Sequence, residues 1–381
     1  MKKLVLSCLV AACAFAADVN LPAPFATPSA RNPSKVVAPP AGAQLKVPAG
    51  FKVEEYMTGF VQPRFMTLGP NKELLIADTS GGTVYVAQDK NKKELLKGLS
   101  GPFGIAFWKD YIYVAETTSV KRYKYDPKAL TAGAGEEVVS MKEASGGHST
   151  RTITFDRKGE KLYVTVGSAS NVNAGEPAIR AAVNRYNPDG TGHEIFVAGT
   201  RNPVGLDWQP GGDRLWITVQ ERDALGDDLV PDYFTHIEQG KFYGWPFAYI
   251  GPNEDPRRKG ENPALVAKAT VPDVLLPAHA GVLDLEFYTG KQFPKEYQGG
   301  AFIAFHGSWN RSKRHGYEIA FVPFKDGKPS GPWQDFMTGW MIAPDVTEVW
   351  GRPVGVLEMP DGSLLVSDDG GKKIWRISYG K

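Results

Sequence analysis

The sequence predicts an all-β protein, a six-bladed β-propeller of four-stranded antiparallel sheets with a long insertion between blades four and five. Three observations carry this expectation. One phrase occurs six times: an apolar stretch, a tight turn, then a second apolar stretch ending in a small or polar residue. A β-repeat with a period of some tens of residues signals a radial, closed architecture. The copies share the chain at roughly 60 residues each, enough for four strands and their connections. Finally, 42 Gly and 29 Pro supply the turns that such a fold needs, and an aromatic content of 11% can fill the space between neighbouring blades.

From the start of the chain, residues 1–16 read as a secretory signal. Lys2 and Lys3 precede the apolar run Leu4–Ala12, which is too short to span a membrane, and Ala14-Phe15-Ala16 fits a small-x-small cleavage site. The rival reading is a lipoprotein signal, with Cys13 as the lipid anchor after Val10-Ala11-Ala12. Both cysteines lie in this segment, so cleavage after Ala16 leaves a chain without thiols, disulfides or Cys-based metal and haem sites. Export without disulfides suits a bacterial periplasm. Residues 17–45, rich in Pro and Ala and without a period, read as an extended leader. Residues 46–381 form the propeller.

The six copies run from Pro63 to Asp78, Pro102 to Glu116, Arg151 to Ser168, Pro203 to Glu221, Val282 to His306, and Arg352 to Asp369. Turns such as Pro70-Asn71-Lys72, Pro210-Gly211-Gly212 and Pro360-Asp361-Gly362 provide residues that tolerate positive φ. Third strands follow, for example Thr83–Val86, Ala182–Tyr186 and Lys373–Trp375. Residues 223–281 form the long insertion, a length that in a loop usually signals function. Phe51–Met57 is expected to complete the last blade beside Ile374–Tyr379, since closure removes free sheet edges.

This arrangement predicts a site. If each first strand runs down along the axis and each second strand returns, residues just before the first and at the end of the second share one face. That face would collect His148, Arg151, Arg201, Asn202, His279 and Arg352, with Asp78, Glu116, Ser168, Glu221, His306 and Asp368. A polar pocket on the axis of a rigid scaffold is the default functional site. His148, in Gly146-Gly147-His148-Ser149-Thr150-Arg151, is a candidate general base; alone, such a histidine more often simply bonds a loop. Arg201 and Arg352 occupy matching places two blades apart, and paired N–H donors there suit a planar or anionic ligand. The acidic stretch Glu221–Asp228 offers oxygens to a hard cation, although its spacing is not that of an EF-hand and a solvated turn explains it equally well.

Other classes find no support. The formal net charge is +2 without a basic stripe, so nucleic acid is not a partner. No Gly-rich loop joins a strand to a helix, no Gly-x-Ser-x-Gly elbow has usable partners, and no Cys-x-x-Cys-His haem attachment is present.

The motifs together resemble the glucose/sorbosone dehydrogenase family, soluble sugar dehydrogenases dependent on pyrroloquinoline quinone (PQQ), and most nearly its sorbosone-dehydrogenase-like branch. The resemblance covers about Pro48 to Tyr379 and rests on Gly147–Arg151, Arg201–Leu206, Glu221–Asp228, Phe242–Pro246, His306–Ser312 and Trp350–Val354. It implies PQQ and Ca²⁺ as cofactors and a sugar, sugar aldehyde or related alcohol as substrate, with electrons passing to an external acceptor. By motif, His148 resembles the catalytic base, and Arg201, with Asn202 beside it, the arginine at the quinone oxygens. Arg352 resembles a clamp on a cofactor carboxylate, and the backbone carbonyls near Asp223 and Ala224 resemble the calcium ligands. The chain departs from the family pattern at three places. Ser168 replaces the acid that orients the histidine, the region of Leu99 lacks a cofactor-binding glutamine, and Asn310 aligns with a cofactor-binding lysine. Two further classes remain open at this level: a calcium-dependent lactonase-type hydrolase, with Asp78, Glu116, Glu221 and Asp368 holding the metal, and a non-enzymatic propeller that binds a ligand or protein.

Overall fold

A computed structural model describes residues 20–380; the signal segment and Cys13 lie outside the described residues. Six four-stranded antiparallel sheets form the blades of a propeller. From the axis outward, blade one comprises Pro63–Leu68, Leu74–Asp78, Thr83–Gln88 and Asn91–Lys97. The innermost strands of blades two to six are Ile105–Trp108, Ile153–Phe155, Asn202–Trp208, Val282–Phe287 and Pro353–Glu358. Phe51–Met57 is the outermost strand of blade six, antiparallel to Lys373–Tyr379 with Phe51 opposite Tyr379. The first and last blade strands along the chain thus share a sheet, and this joins the two ends of the ring. The second strands of blades one, three, five and six are buried along their whole length. This is why the sequence shows them as continuous apolar runs rather than as alternation.

Blade-to-blade contact near the axis explains the recurring Val-Gly and Phe-Gly pairs. A Cβ on Gly205 would lie 2.7 Å from the Leu283 carbonyl and 3.0 Å from the Leu285 nitrogen, and one on Gly104 would lie 2.7 Å from the Arg151 carbonyl. Only glycine lets these backbones approach so closely. Hydroxyls bridge the same seam. Gly205 N–H donates to Thr218 Oγ1, which donates to the Leu283 carbonyl; Gly355 N–H donates to Ser367 Oγ, which donates to the Arg64 carbonyl. The residues one step earlier or opposite, Phe103, Val204, Leu283 and Val354, pack together into an apolar plug on the axis, with Phe65 against it. Below the plug the channel carries Asp207, Asp284 and Glu286; above it lies the polar face.

Two connections shape that upper face. The long insertion starts inside blade four: it contains that blade's two outer strands, Pro231–Ile237 and Val274–Ala278, and the excursion between them includes the short helix Pro263–Lys268. Residues 20–36 cross the same face with a turn at Pro24–Phe25, where Ala26 N–H donates to the Ala23 carbonyl at 3.1 Å, and Lys35–Val36 pair in parallel with Glu348–Val349. Among the described residues no helix is long and apolar enough to cross a membrane.

Candidate active site

A pocket on the upper face is lined by residues from blades three to six, among them His148, Arg201, His279, His306, Asn310 and Arg352. Glu221, Asp223, Asp232 and Trp309 complete its wall. Most of these side chains converge because they sit where the chain enters an innermost strand or leaves a second strand, and all such ends face the same way; Asp232 joins them from the start of the third strand of blade four.

His148 is held by backbone. Its Nδ1 lies 2.8 Å from the Ser168 carbonyl, and its own N–H donates to the same oxygen at 3.1 Å. A carbonyl can only accept, so Nδ1 carries the proton and Nε2 of the neutral ring keeps its lone pair. The Ser168 hydroxyl, 3.2 Å from Nδ1, spends its own proton on the Ser170 carbonyl at 2.6 Å. The ring is therefore oriented by a main-chain oxygen rather than by the serine hydroxyl. Burial, followed by the charge of Arg201, pulls the imidazole pKa down to about 4. His148 is thus neutral, and free to accept a proton, at pH 7.

Arg201 anchors a polar chain along one wall. Its Nη1 donates to the Glu221 carbonyl at 2.7 Å, and its Nη2 donates to Asp223 Oδ2 at 3.0 Å. Asp223 Oδ1 accepts from Asn310 Nδ2 at 2.6 Å, and that amide also lies 3.1 Å from His279 Nδ1. His279 Nε2 faces the Gly226 carbonyl at 2.9 Å, so Nε2 carries its proton and Nδ1 accepts. On the opposite wall Arg352 donates through Nε to the His306 carbonyl at 3.2 Å and through Nη2 to the Gly307 carbonyl at 3.4 Å. Its Nη1 has no hydrogen-bond partner among the described residues. His306 Nε2 pairs with Asp369 Oδ1 at 2.9 Å, and Arg64 stands 3.7 Å from the other Asp369 oxygen. Burial and the nearby Arg352 lower the His306 pKa to about 4, against the pull of Asp369.

Several residues expected on this face do other work. Arg151 is fully buried and donates to the carbonyls of Ala144, His148 and Thr150. It holds the loop that carries His148. Asn202 is buried behind the wall, its amide on Gln220 Oε1 at 3.2 Å. Asp78, Glu116 and Asp368 accept backbone N–H groups of neighbouring turns: Val61 and Gln62 for Asp78, Ser100 for Glu116, Arg352 and Gly371 for Asp368. Leu99 packs in an apolar cluster between blades one and two. The Asp223 carbonyl accepts from Asn171 Nδ2 at 3.0 Å and from Arg257 Nη1 at 2.8 Å, which occupies both its lone pairs. Ala224 has φ 69° and does not line the pocket. Among the described residues no three His, Cys, Asp or Glu side chains are grouped to share a metal ion.

Sequence reasoning missed Asp369, Arg64, Asp232 and Trp309. Asp232 accepts the N–H groups of Glu221 and Gly281, both at 2.9 Å, and burial raises its pKa to about 7. The doubled acid Asp368-Asp369 was the available signal for a second role at that strand end.

Comparison with known proteins agrees with this architecture. An uncharacterized protein of Borreliella burgdorferi is 32% identical over 88% of this chain and 91% of its own length. The pyrroloquinoline quinone-dependent pyranose dehydrogenase of Coprinopsis cinerea is 26% identical over 89% of this chain, which spans 55% of that enzyme. The calcium structure of the Trichoderma reesei carbohydrate-active enzyme of family AA12 superposes with a TM-score of 0.76 at 20% identity, covering 92% of this chain and 99% of that one. The likeness does not single out the sorbosone branch. The profile of the TrAA12-like family matches residues 45–232 and 251–380, and the chain belongs to that family.

Proposed function

We propose that the protein is a PQQ- and Ca²⁺-dependent oxidoreductase that oxidises a sugar, with an aldose, a sugar aldehyde as its hydrate, or a related alcohol as substrate. The observation that carries the reading is the meeting of a neutral, carbonyl-oriented histidine and two guanidiniums in one pocket. The Coprinopsis relative is named for PQQ, and the Trichoderma neighbour was solved with calcium.

The residues present fit such a group. PQQ is a flat quinone bearing carboxylates. Arg352 Nη1 is a free donor on the pocket wall, Arg201 stands two blades away, and Trp309, 46% exposed, offers a flat apolar surface at the rim. For the cation, Glu221 Oε1 is, among the described residues, a buried oxygen without a donor, and the Asp223 carboxylate lines the same pocket with one donor on each oxygen, Arg201 and Asn310. Glu221 Oε1 is better placed for the cation than the Asp223 carbonyl, which Asn171 and Arg257 already occupy.

When bound, PQQ would supply the two-electron acceptor for the hydride of the substrate carbon. His148 Nε2 takes the proton from the hydroxyl on that carbon, so the C–H and O–H bonds break as C=O forms and the substrate loses two electrons. Arg201 and Arg352 stabilise the negative charge that the electron acceptor gains. The electrons would leave to an external acceptor, as no Cys-x-x-Cys-His haem attachment motif is present in the sequence. We place the enzyme outside the cytoplasm, periplasmic or secreted, on the reading of residues 1–16. A lactonase reading is weaker, because Asp78, Glu116 and Asp368 are committed to backbone N–H groups. The test is dye reduction by the purified protein with PQQ and Ca²⁺ across a panel of aldoses and lactones. Sugar-dependent reduction supports the proposal; lactone hydrolysis without quinone rejects it.

A further inference from the structure

The segment across the upper face makes more contacts with the pocket's loops than an extended leader needs. Phe25 N–H donates to the Leu225 carbonyl at 2.7 Å, and Thr27 Oγ1 accepts the Asp227 N–H at 2.7 Å. A Cβ on Gly226 would lie 3.0 Å from Thr27 Oγ1, so the two segments are in direct contact there. Five residues on, Asn32 N–H donates to the Trp309 carbonyl at 2.7 Å, and Asn32 Nδ2 donates to the carbonyls of Arg311 and Ser312. Arg314 returns the contact, donating through Nη1 to the Asn32 carbonyl at 2.7 Å and through Nη2 to Asn32 Oδ1 at 2.6 Å.

The two loops seized this way are the ones that furnish the wall. The 223–228 loop supplies Asp223, which holds Arg201, and the Gly226 carbonyl, which holds His279. The 308–314 loop supplies Trp309 and Asn310, the latter bonded to both Asp223 and His279. They are cross-tied by Arg311, which donates to the Asp227 carbonyl and to Asp228 Oδ1, each at 2.6 Å, and by Ser312, which donates to the Asp227 carboxylate. Neither loop belongs to a blade's sheet, so their mutual position depends on these bonds. The match to the family model begins at residue 45, so the strap precedes the matched residues.

We propose that Thr27 and Asn32 are positioning residues: the strap they belong to clamps the 223–228 and 308–314 loops together and thereby fixes Asp223, Asn310, His279 and, through Asp223, the guanidinium of Arg201. Neither touches the reacting atoms. The proposal about the clamp is independent of the chemistry; its effect on turnover rests on the dehydrogenase reading.

Thr27→Val removes the acceptor for the Asp227 N–H, and Thr27→Ser keeps it. Asn32→Ala removes the donor to two carbonyls and the acceptor for Arg314. The full-length variants are compared with the parent by amide hydrogen exchange and, with PQQ, Ca²⁺ and a sugar, by steady-state kinetics. Thr27→Val and Asn32→Ala should each raise exchange about tenfold in residues 223–228 and 308–314 while the second strands of the blades stay protected. KM or cofactor affinity should worsen by a similar factor, about tenfold, with Thr27→Ser close to the parent. Unchanged exchange in both loops overturns the clamp. Increased exchange throughout the propeller also overturns it, by showing a general role in stability. Faster exchange in the loops without any sugar oxidation by the parent leaves the clamp standing and rejects the dehydrogenase reading instead.

Discussion

The acid limb of the pH–rate profile tests how the site makes its base. His148 sits on the Ser168 carbonyl, partly buried and near Arg201, and its pKa is lowered to about 4. The sign follows from the physics: burial and a neighbouring cation both disfavour imidazolium, so the ring stays a free base further into acid. The perturbation is a shift of the assay from pH 7 to pH 5. At pH 5 a base with its pKa near 4 is roughly 90% unprotonated, whereas a histidine at the ordinary value of about 6.5 is roughly 3% unprotonated, an about thirtyfold difference. The assay is kcat/KM for sugar-dependent dye reduction from pH 4 to 8, with PQQ and Ca²⁺ saturating. The profile should stay flat down to about pH 5 and fall with its midpoint near 4. His306 also titrates near 4, so the limb is assigned with variants: His306→Gln should retain activity and the limb, and His148→Gln should lose activity by at least about a hundredfold. A limb centred near pH 6.5, or a His148→Gln enzyme with parental rates, refutes the assignment of His148.

Three further outcomes follow from the same contacts. Arg352→Ala should weaken PQQ binding about ten- to hundredfold, the worth of one or two charge-assisted hydrogen bonds, as read by quenching of tryptophan fluorescence. Arg222→Met should destabilise the fold by about 3–5 kcal/mol in urea unfolding, because it strands the buried carboxylate of Glu221, which Arg222 now meets at 2.9 Å, and leaves Asp255 to Arg257 alone. Gly205→Ala should lower stability by about 1–3 kcal/mol, seen as an earlier thermal midpoint, since its Cβ would press on the backbone of blade five.

The sequence made the blades legible because each repeats one pattern, and a buried second strand such as Leu364–Asp368 stands out as an apolar run closed by a turn. The strand Phe51–Met57 was harder, since its partner is more than three hundred residues away, and only the logic of closure pointed to it. His148, Arg201 and Arg352 could be placed on one face because their positions at strand entries follow from the repeat. The role of an acid could not be read that way. Asp78 and Asp368 look like site carboxylates at strand ends, yet each is followed three residues later by a glycine, and each accepts that glycine's N–H. That spacing marks a turn anchor and was available in the sequence. The blocked carbonyl of Asp223 was not, because Asn171 and Arg257 reach it from separate loops. The same is true of the strap, whose residues gain meaning only from the loops beneath them.

The most direct test is a single turnover. The protein is loaded with one equivalent of PQQ and with Ca²⁺, mixed with an aldose without oxygen or dye, and the quinone absorbance is followed. The account predicts loss of the oxidised spectrum in a one-to-one amount, preserved binding but no reduction in His148→Gln, and little binding in an Arg201→Ala, Arg352→Ala double variant. Tight binding by the double variant, or reduction at parental rate without His148, would contradict it.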